Sequence, residues 1–181
     1  TLLHPHWRPL GYVAVWLEYQ LLHLDVVAAY YAVNLLLWVA SSWLVYVIVE
    51  QLARSKAAAM LAAVAVLTDT RALYTHVWIV ENQNSLACVF GLAAMLVVVR
   101  ADDRRLGRAR LIGVGLLLLA SAFSKEYGVA FAVALAAHAV LQRRSDLAWV
   151  SGLAIAVYTG LRLTVGGPVW PYCEDMAFFF Q

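Results

Sequence analysis

The stretch LIGVGLLLLASAFSKEYGVAFAVALAAHAVL, residues 111–141, decides the fold: Ser124, Lys125 and Glu126 separate two apolar runs, Leu111 to Phe123 and Tyr127 to Leu141. Two ionised side chains at the end of a hydrophobic helix are costly unless they line a wet cavity. An intramembrane pair of this kind is therefore a functional hypothesis in its own right.

The same pattern repeats outward. Further apolar runs cover Val26 to Val49, Ala57 to Leu67, Ser85 to Val99 and Leu147 to Val165, and short polar clusters divide them. Nearly two thirds of the residues are apolar and about an eighth are charged, against roughly a quarter charged in soluble domains. Several long runs exclude a single anchor and predict an all-α polytopic transmembrane bundle of about six spans. One domain accounts for all 181 residues, with 1–24 as an outer interfacial segment, 25–166 as the six-span bundle and 167–181 as an outer loop. Trp7, Tyr12, Trp16 and Tyr19 suit the headgroup level. Gly166, Gly167 and Pro168 end the last span. The chain starts without Met and stops after three phenylalanines, so it reads as a fragment.

Two of the runs are short. Ala57 to Leu67 makes about 17 Å of helix, well under the roughly 30 Å hydrocarbon thickness. That helix either continues through Thr68 to Arg71 into the segment around Trp78 or stops at a polar break inside the membrane. Leu111 to Phe123 is short by the same measure.

Charge sets the orientation. With six spans, Arg54, Lys56, Arg100, Arg104, Arg105, Arg108, Arg110, Arg143 and Arg144 fall on one side, and Arg8, Arg71, Lys125 and Arg162 on or near the other. The positive-inside rule puts the first group in the cytoplasm and both chain ends outside. The polar clusters His4 to Arg8, Asp69 to Arg71, Glu81 to Asn84, Ser124 to Glu126 and Cys173 to Asp175 then all point outward. Basic residues in small clusters around a near-neutral total exclude a nucleic-acid partner. Cys88 lies in an apolar run and Cys173 in the polar tail, so no disulfide is expected. His4 and His6 have no third ligand nearby, so neither a metal nor another cofactor is assigned. Asn34, inside the first span, is expected to be an interhelical hydrogen-bonding residue.

In order, HWRPL (6–10), EYQLLHL (18–24), YYAVNLLLW (30–38), WIVENQNSLACVFGLAA (78–94), LLASAFSKEYGVAFAVAL (118–135) and YTGLRLTVGG (158–167) resemble the GT-C superfamily of polytopic glycosyltransferases. The nearest likeness is to the protein O-mannosyltransferase-like and tetratricopeptide-associated (TMTC-like) members. The resemblance covers most of the chain, and SKE between two apolar runs together with WRPL carries it. It implies transfer of a sugar from a polyprenyl-phosphate donor to a protein, lipid or glycan acceptor on the outer face of a membrane, with a bacterial cytoplasmic membrane as the expected location.

Such chemistry needs cations where the lipid phosphate leaves. The available cations are Lys125, Arg8 and Arg162, and Lys125 comes first because apolar runs flank it on both sides. Glu126, Asn84 and His6 are further candidate substrate contacts, Glu126 either orienting the neighbours of Lys125 or binding a sugar hydroxyl. The family's Arg-x-Asp is Asn82-Gln83-Asn84 here, which removes both charges, and Glu81 stands in for the acid three residues before Asn84. The resemblance puts the catalytic acid in an outer loop upstream of Thr1, so no residue here is assigned as catalytic. Two other classes compete. One is a transporter or channel with Lys125, Glu126 and Glu81 on an ion path, and the other a non-catalytic membrane scaffold.

Overall fold

The computed structural model describes residues 8–22, 27–69, 82–101 and 106–165. Among these, every regular element is helical: α1 (Pro9–Leu22), α2 (Val27–Ala53), α3 (Lys56–Leu67), α4 (Asn82–Arg100), α5 (Arg108–Ser124), a 3-10 turn (Glu126–Gly128), α6 (Val129–Leu141) and α7 (Ser145–Val165). Each of the six apolar runs is a helix. The first extends beyond Val49 to Ala53, and the third starts three residues early, at Asn82. The short second run stops at Leu67, where the Thr68 amide closes the last turn on the Val64 carbonyl at 2.8 Å. Of the two outcomes for that helix, termination at the polar break is the one observed.

Local chemistry sets the helix ends. Pro9 opens α1 at a position where its missing N–H costs nothing, and the Arg8 carbonyl takes the Tyr12 amide at 3.0 Å. Ser55 caps α3 by accepting the Ala58 amide on its hydroxyl at 3.3 Å, which satisfies one orphan donor. Arg54 and Arg143 carry positive φ values of 50° and 53°. At Arg143 the left-handed residue folds the chain back so that the Arg144 amide reaches the Ala139 carbonyl at 2.8 Å, the wide closing bond of a helix C-terminus.

Contacts between helices fix their direction and register. Trp38 Nε1 donates to the Val66 carbonyl at 3.1 Å and Ser42 Oγ to the Ala63 carbonyl at 2.9 Å, so α2 and α3 are antiparallel. Ser121 Oγ donates to the Ala87 carbonyl at 2.7 Å, which joins α4 to α5. Gly115 faces Val150 and Phe123 faces Tyr158, so α5 and α7 run parallel with a constant offset. That offset sets Arg162 level with Tyr127, and Arg108 level with Arg143. Gly91 lies directly under the Phe131 ring, a contact that no larger residue would permit and that holds α4 against α6.

The core of α4 to α7 is built of small and branched residues: Ala94, Val98, Val114, Leu118, Ala132, Leu135, Ala139, Leu147 and Ala154 are all buried. Leu36, Trp43, Ile112, Leu116, Trp149 and Leu153 are exposed. Small residues inside and large apolar residues outside suit a bundle solvated by lipid. Three helices, α2, α4 and α7, are long and apolar enough to cross a membrane.

Candidate functional site

The turn after α5 is tied down from three directions. Lys125 ends α5 in extended backbone, φ −154° and ψ 144°, with its amide on the Ser121 carbonyl at 3.2 Å. The chain then reverses within one 3-10 turn, closed by the Gly128 amide on the Lys125 carbonyl at 2.9 Å. Gly128 makes this possible, because its α-carbon rests on the Ser121 backbone where any β-carbon would collide with the carbonyl. Ser121 is fully buried and bonded to α4, so turn and helix share one anchor.

Helix α1 closes the site from the other side. Gly11 lets α1 approach so closely that an added β-carbon would lie 2.8 Å from the Gln83 side chain and 3.0 Å from the Ser124 carbonyl. This approach delivers Arg8 to Glu126. Arg8 Nε donates to Glu126 Oε2 at 2.8 Å and Nη2 to Oε1 at 2.7 Å, a bidentate pair across 118 residues of sequence. Arg8 Nη1 reaches Gln83 Oε1 at 3.3 Å. The planar fork of guanidinium matches a carboxylate in a way an ammonium cannot. Burial works to raise the Glu126 pKa, but the Arg8 hydrogen bonds, its own backbone amide and the charges of Arg8 and Lys125 outweigh it and hold the carboxyl below its ordinary range.

Lys125 is only 8% exposed, and its Nζ lies 5.7 Å from the centre of the Tyr127 ring, a cation–π distance. Arg162 is equally buried. It stands one turn beyond Tyr158, whose ring packs on Phe123 at 5.8 Å, next to the turn at Ser124 to Glu126. The structure therefore brings Arg8, Lys125, Glu126 and Arg162 to one end of the bundle. Asn84 stands in the first turn of α4, level with Ser124. His6 and Glu81 lie outside the described residues.

Comparison of the chain with family models, with curated proteins and with solved structures finds no match. The site therefore stands on its geometry.

Two of its parts, Gln83 and Gly11, were not legible in the sequence. Gln83 was one polar residue in a cluster, yet it is 2% exposed and forms the second contact of Arg8. Glu18 accepts from Asn82 Nδ2 at 2.7 Å and pins the middle of α1 to the start of α4. Its pKa is raised, because burial outweighs the stabilising hydrogen bond from Asn82. The available signal was Glu18 itself, the one acid in an otherwise uncharged helix. Gly11, just past the Arg-Pro-Leu motif, marks the close approach in hindsight.

One expectation needs correction. Asn34 was to join α2 to a neighbour, but neither amide atom has a hydrogen-bond partner among the described residues, although the residue is 1% exposed. Tyr30, one turn earlier on the same face, is buried with its hydroxyl in the same condition, as is Asn82 Oδ1. The trunk of α2 is held instead by Trp38 and Ser42, which carry the interhelical bonds one and two turns beyond Asn34. Leaving a buried polar group unpaired costs about 1–3 kcal/mol.

Proposed function

We propose that the protein is an integral-membrane glycosyltransferase of GT-C type, with about six spans, that moves a sugar from a polyprenyl-phosphate donor to a protein, lipid or glycan acceptor on the outer face. One observation carries this reading: three cations, Arg8, Lys125 and Arg162, stand with Glu126 at one end of an apolar bundle, two of them almost wholly buried. A departing lipid phosphate gathers negative charge, and pre-positioned cations in a poorly hydrated site lower the barrier to its departure. Lys125 is the first candidate to meet that phosphate. Arg8 spends its donors on Glu126 and Gln83, so its part is to hold the turn in place.

The arrangement also supports a division of labour. Ser121, Gly128 and the Arg8–Glu126 pair fix the turn, while Lys125 and Arg162 bring charge to it. Asn84, Glu81 and His6 are the proposed further contacts to donor or acceptor.

The test is transfer of labelled sugar by the full-length protein from polyprenyl-phosphate donors. Lys125→Ala is expected to lower the rate by roughly 100- to 1,000-fold, as for loss of one transition-state donor. Undiminished transfer in both Lys125→Ala and Arg8→Ala removes the site, and no transfer by the wild type across several sugars removes the enzymatic reading.

The bidentate pair favours a second reading, a non-catalytic scaffold in which Arg8 and Glu126 simply strap α1 to the bundle. In that case Arg8→Ala lowers stability and the wild type transfers nothing.

A further inference from the structure

A groove of about 260 Å³ runs between α5 and α7 on the outside of the bundle, lined by Leu111, Gly115 and Leu119 of the one and Val150, Leu153 and Ala154 of the other. It exists because Gly115 has no side chain and Ala154 a short one. An added β-carbon at position 115 would stand 3.3 Å from Val150 Cγ1, so the two helices meet closely along the floor. Ile112, Leu116 and Leu153 rise on either side and are 64%, 62% and 64% exposed. Nothing among the described residues covers them.

Dimensions choose between occupants. Leu111 to Leu119 measure about 12 Å along the helix, which lies within one leaflet of a hydrocarbon core roughly 30 Å thick. A helix is about 10–12 Å across with its side chains, too wide for a groove of this volume, whereas a single hydrocarbon chain runs along it. Charge decides which chain. Arg108 stands one turn before Leu111 and Ile112 on the same face of α5, at the mouth of the groove. It is exposed, and it has no ion-pair partner among the described residues. Helical side chains lean towards the N-terminus, which carries this guanidinium away from the groove and to headgroup level. Arg143 is level with it, and Arg110 and Arg144 belong to the same end. The described carboxylate nearby is Asp146, and the first turn of α7 accounts for it, since negative charge there meets the helix dipole. Four guanidinium groups against one carboxylate leave this end positive, and the formal charges of Asp102, Asp103, Arg104 and Arg105, outside the described residues, cancel.

We infer that the groove between α5 and α7 holds one acyl chain of an anionic phospholipid, whose phosphate rests on Arg108. Basic residues beside a bilayer attract anionic lipid, and the apolar groove fixes where the chain of that lipid lies. The site is separate from the cluster at the other end of the bundle: Arg108 and Lys125 stand at opposite ends of α5, about 25 Å apart by helical rise. It holds whether or not the chain transfers sugars.

The full-length chain is placed in phosphatidylcholine nanodiscs doped with a small fraction of phosphatidylglycerol that carries a diazirine in one acyl chain. After illumination, adducts are mapped by peptide mass spectrometry. Labelling concentrates in residues 111–119 and 150–154. Arg108→Gln, at an exposed position, lowers it about fivefold, the worth of one basic residue near an anionic surface. Arg54→Gln, on the turn between α2 and α3, leaves it unchanged, and Gly115→Leu fills the groove and abolishes it. The same diazirine chain on phosphatidylcholine or phosphatidylethanolamine labels these segments about fivefold less. Equal labelling by either zwitterionic probe, adducts spread as densely over the exposed faces of α2 and α3, or no change in Arg108→Gln overturns the inference. So does a dimer by light scattering in which α5 and α7 escape labelling, because a second copy of the chain then covers the groove.

Discussion

The two ends of the bundle handle charge in opposite ways. At one end Arg8, Glu126, Lys125 and Arg162 come from three distant parts of the chain and are drawn together, the cations largely buried. At the other end Arg54, Arg100, Arg108, Arg110 and Arg143 sit on turns and helix termini, and all five are exposed. A charge at a turn needs only water and costs little. A charge pulled beneath a helix end has to be met by another group, and that demand shapes α1, Gly11 and Gly128 around it. The difference teaches that in this chain the exposed cations need only water, whereas the few buried ones have to be met by groups from distant parts of the sequence.

Substitutions at the two ends should separate them. The largest effect is expected at Gly128, where Gly128→Ala forces a β-carbon onto the Ser121 backbone. Backbone cannot yield as a side chain can, so the cost is about 3 kcal/mol, near the top of the range for overpacking. Thermal unfolding in detergent measures it, and an unchanged melting temperature would mean that the turn is not fixed as described.

Next comes Glu126→Ala, which leaves Arg8 without its bidentate partner. A fully buried pair would lose 3–5 kcal/mol, but Glu126 is more than a third exposed, so screening reduces the expectation to about 1–2 kcal/mol. Arg143→Ala, at the basic end, is expected to change stability by under about 0.5 kcal/mol. Equal losses at Glu126 and Arg143 would break the comparison.

Acid sharpens it further. The folded-state pKa of Glu126 is depressed, so its contribution is present above its unfolded value of about 4.3 and is lost as pH falls through the lower folded value. Glu18 behaves with the opposite sign. Its pKa is raised, so it costs stability at neutral pH and that cost is relieved as pH falls through the raised value. Melting temperatures between pH 3 and pH 7 should therefore show a steep acid loss in the wild type that Glu126→Gln flattens. Glu18→Gln is expected to raise the melting temperature slightly at pH 7 and to change nothing in acid. A Glu126→Gln profile that matches the wild type would remove the pair from the account.

How much of this was legible follows from the physics of each part. Helices announced themselves because an apolar run of eleven or more residues has few alternatives in lipid, and the ends of α3 and α5 were marked by Thr68 and by Ser124 to Glu126. Lys125 and Glu126 could be singled out because charge beside an apolar run is expensive wherever the chain goes. The partner of Glu126 could not, since nothing local relates residue 8 to residue 126; only the packing of α1 at Gly11 brings them together. Asn34 went the other way. A polar residue in a span reads as interhelical glue, and that reading fails because the bonding role is taken by Trp38 and Ser42 on the same helix.

The contrast between the ends depends on their facing opposite sides of one membrane, and single-cysteine labelling tests that most directly. Ser124 is fully buried and would not report, whereas Tyr127 is 46% exposed at the turn and Gln142 is exposed between α6 and α7. In a background with Cys88 and Cys173 replaced, Tyr127→Cys is expected to react with a membrane-impermeant maleimide added outside intact cells, and Gln142→Cys only after the membrane is opened. Reaction of both from outside, or of neither, would contradict the account.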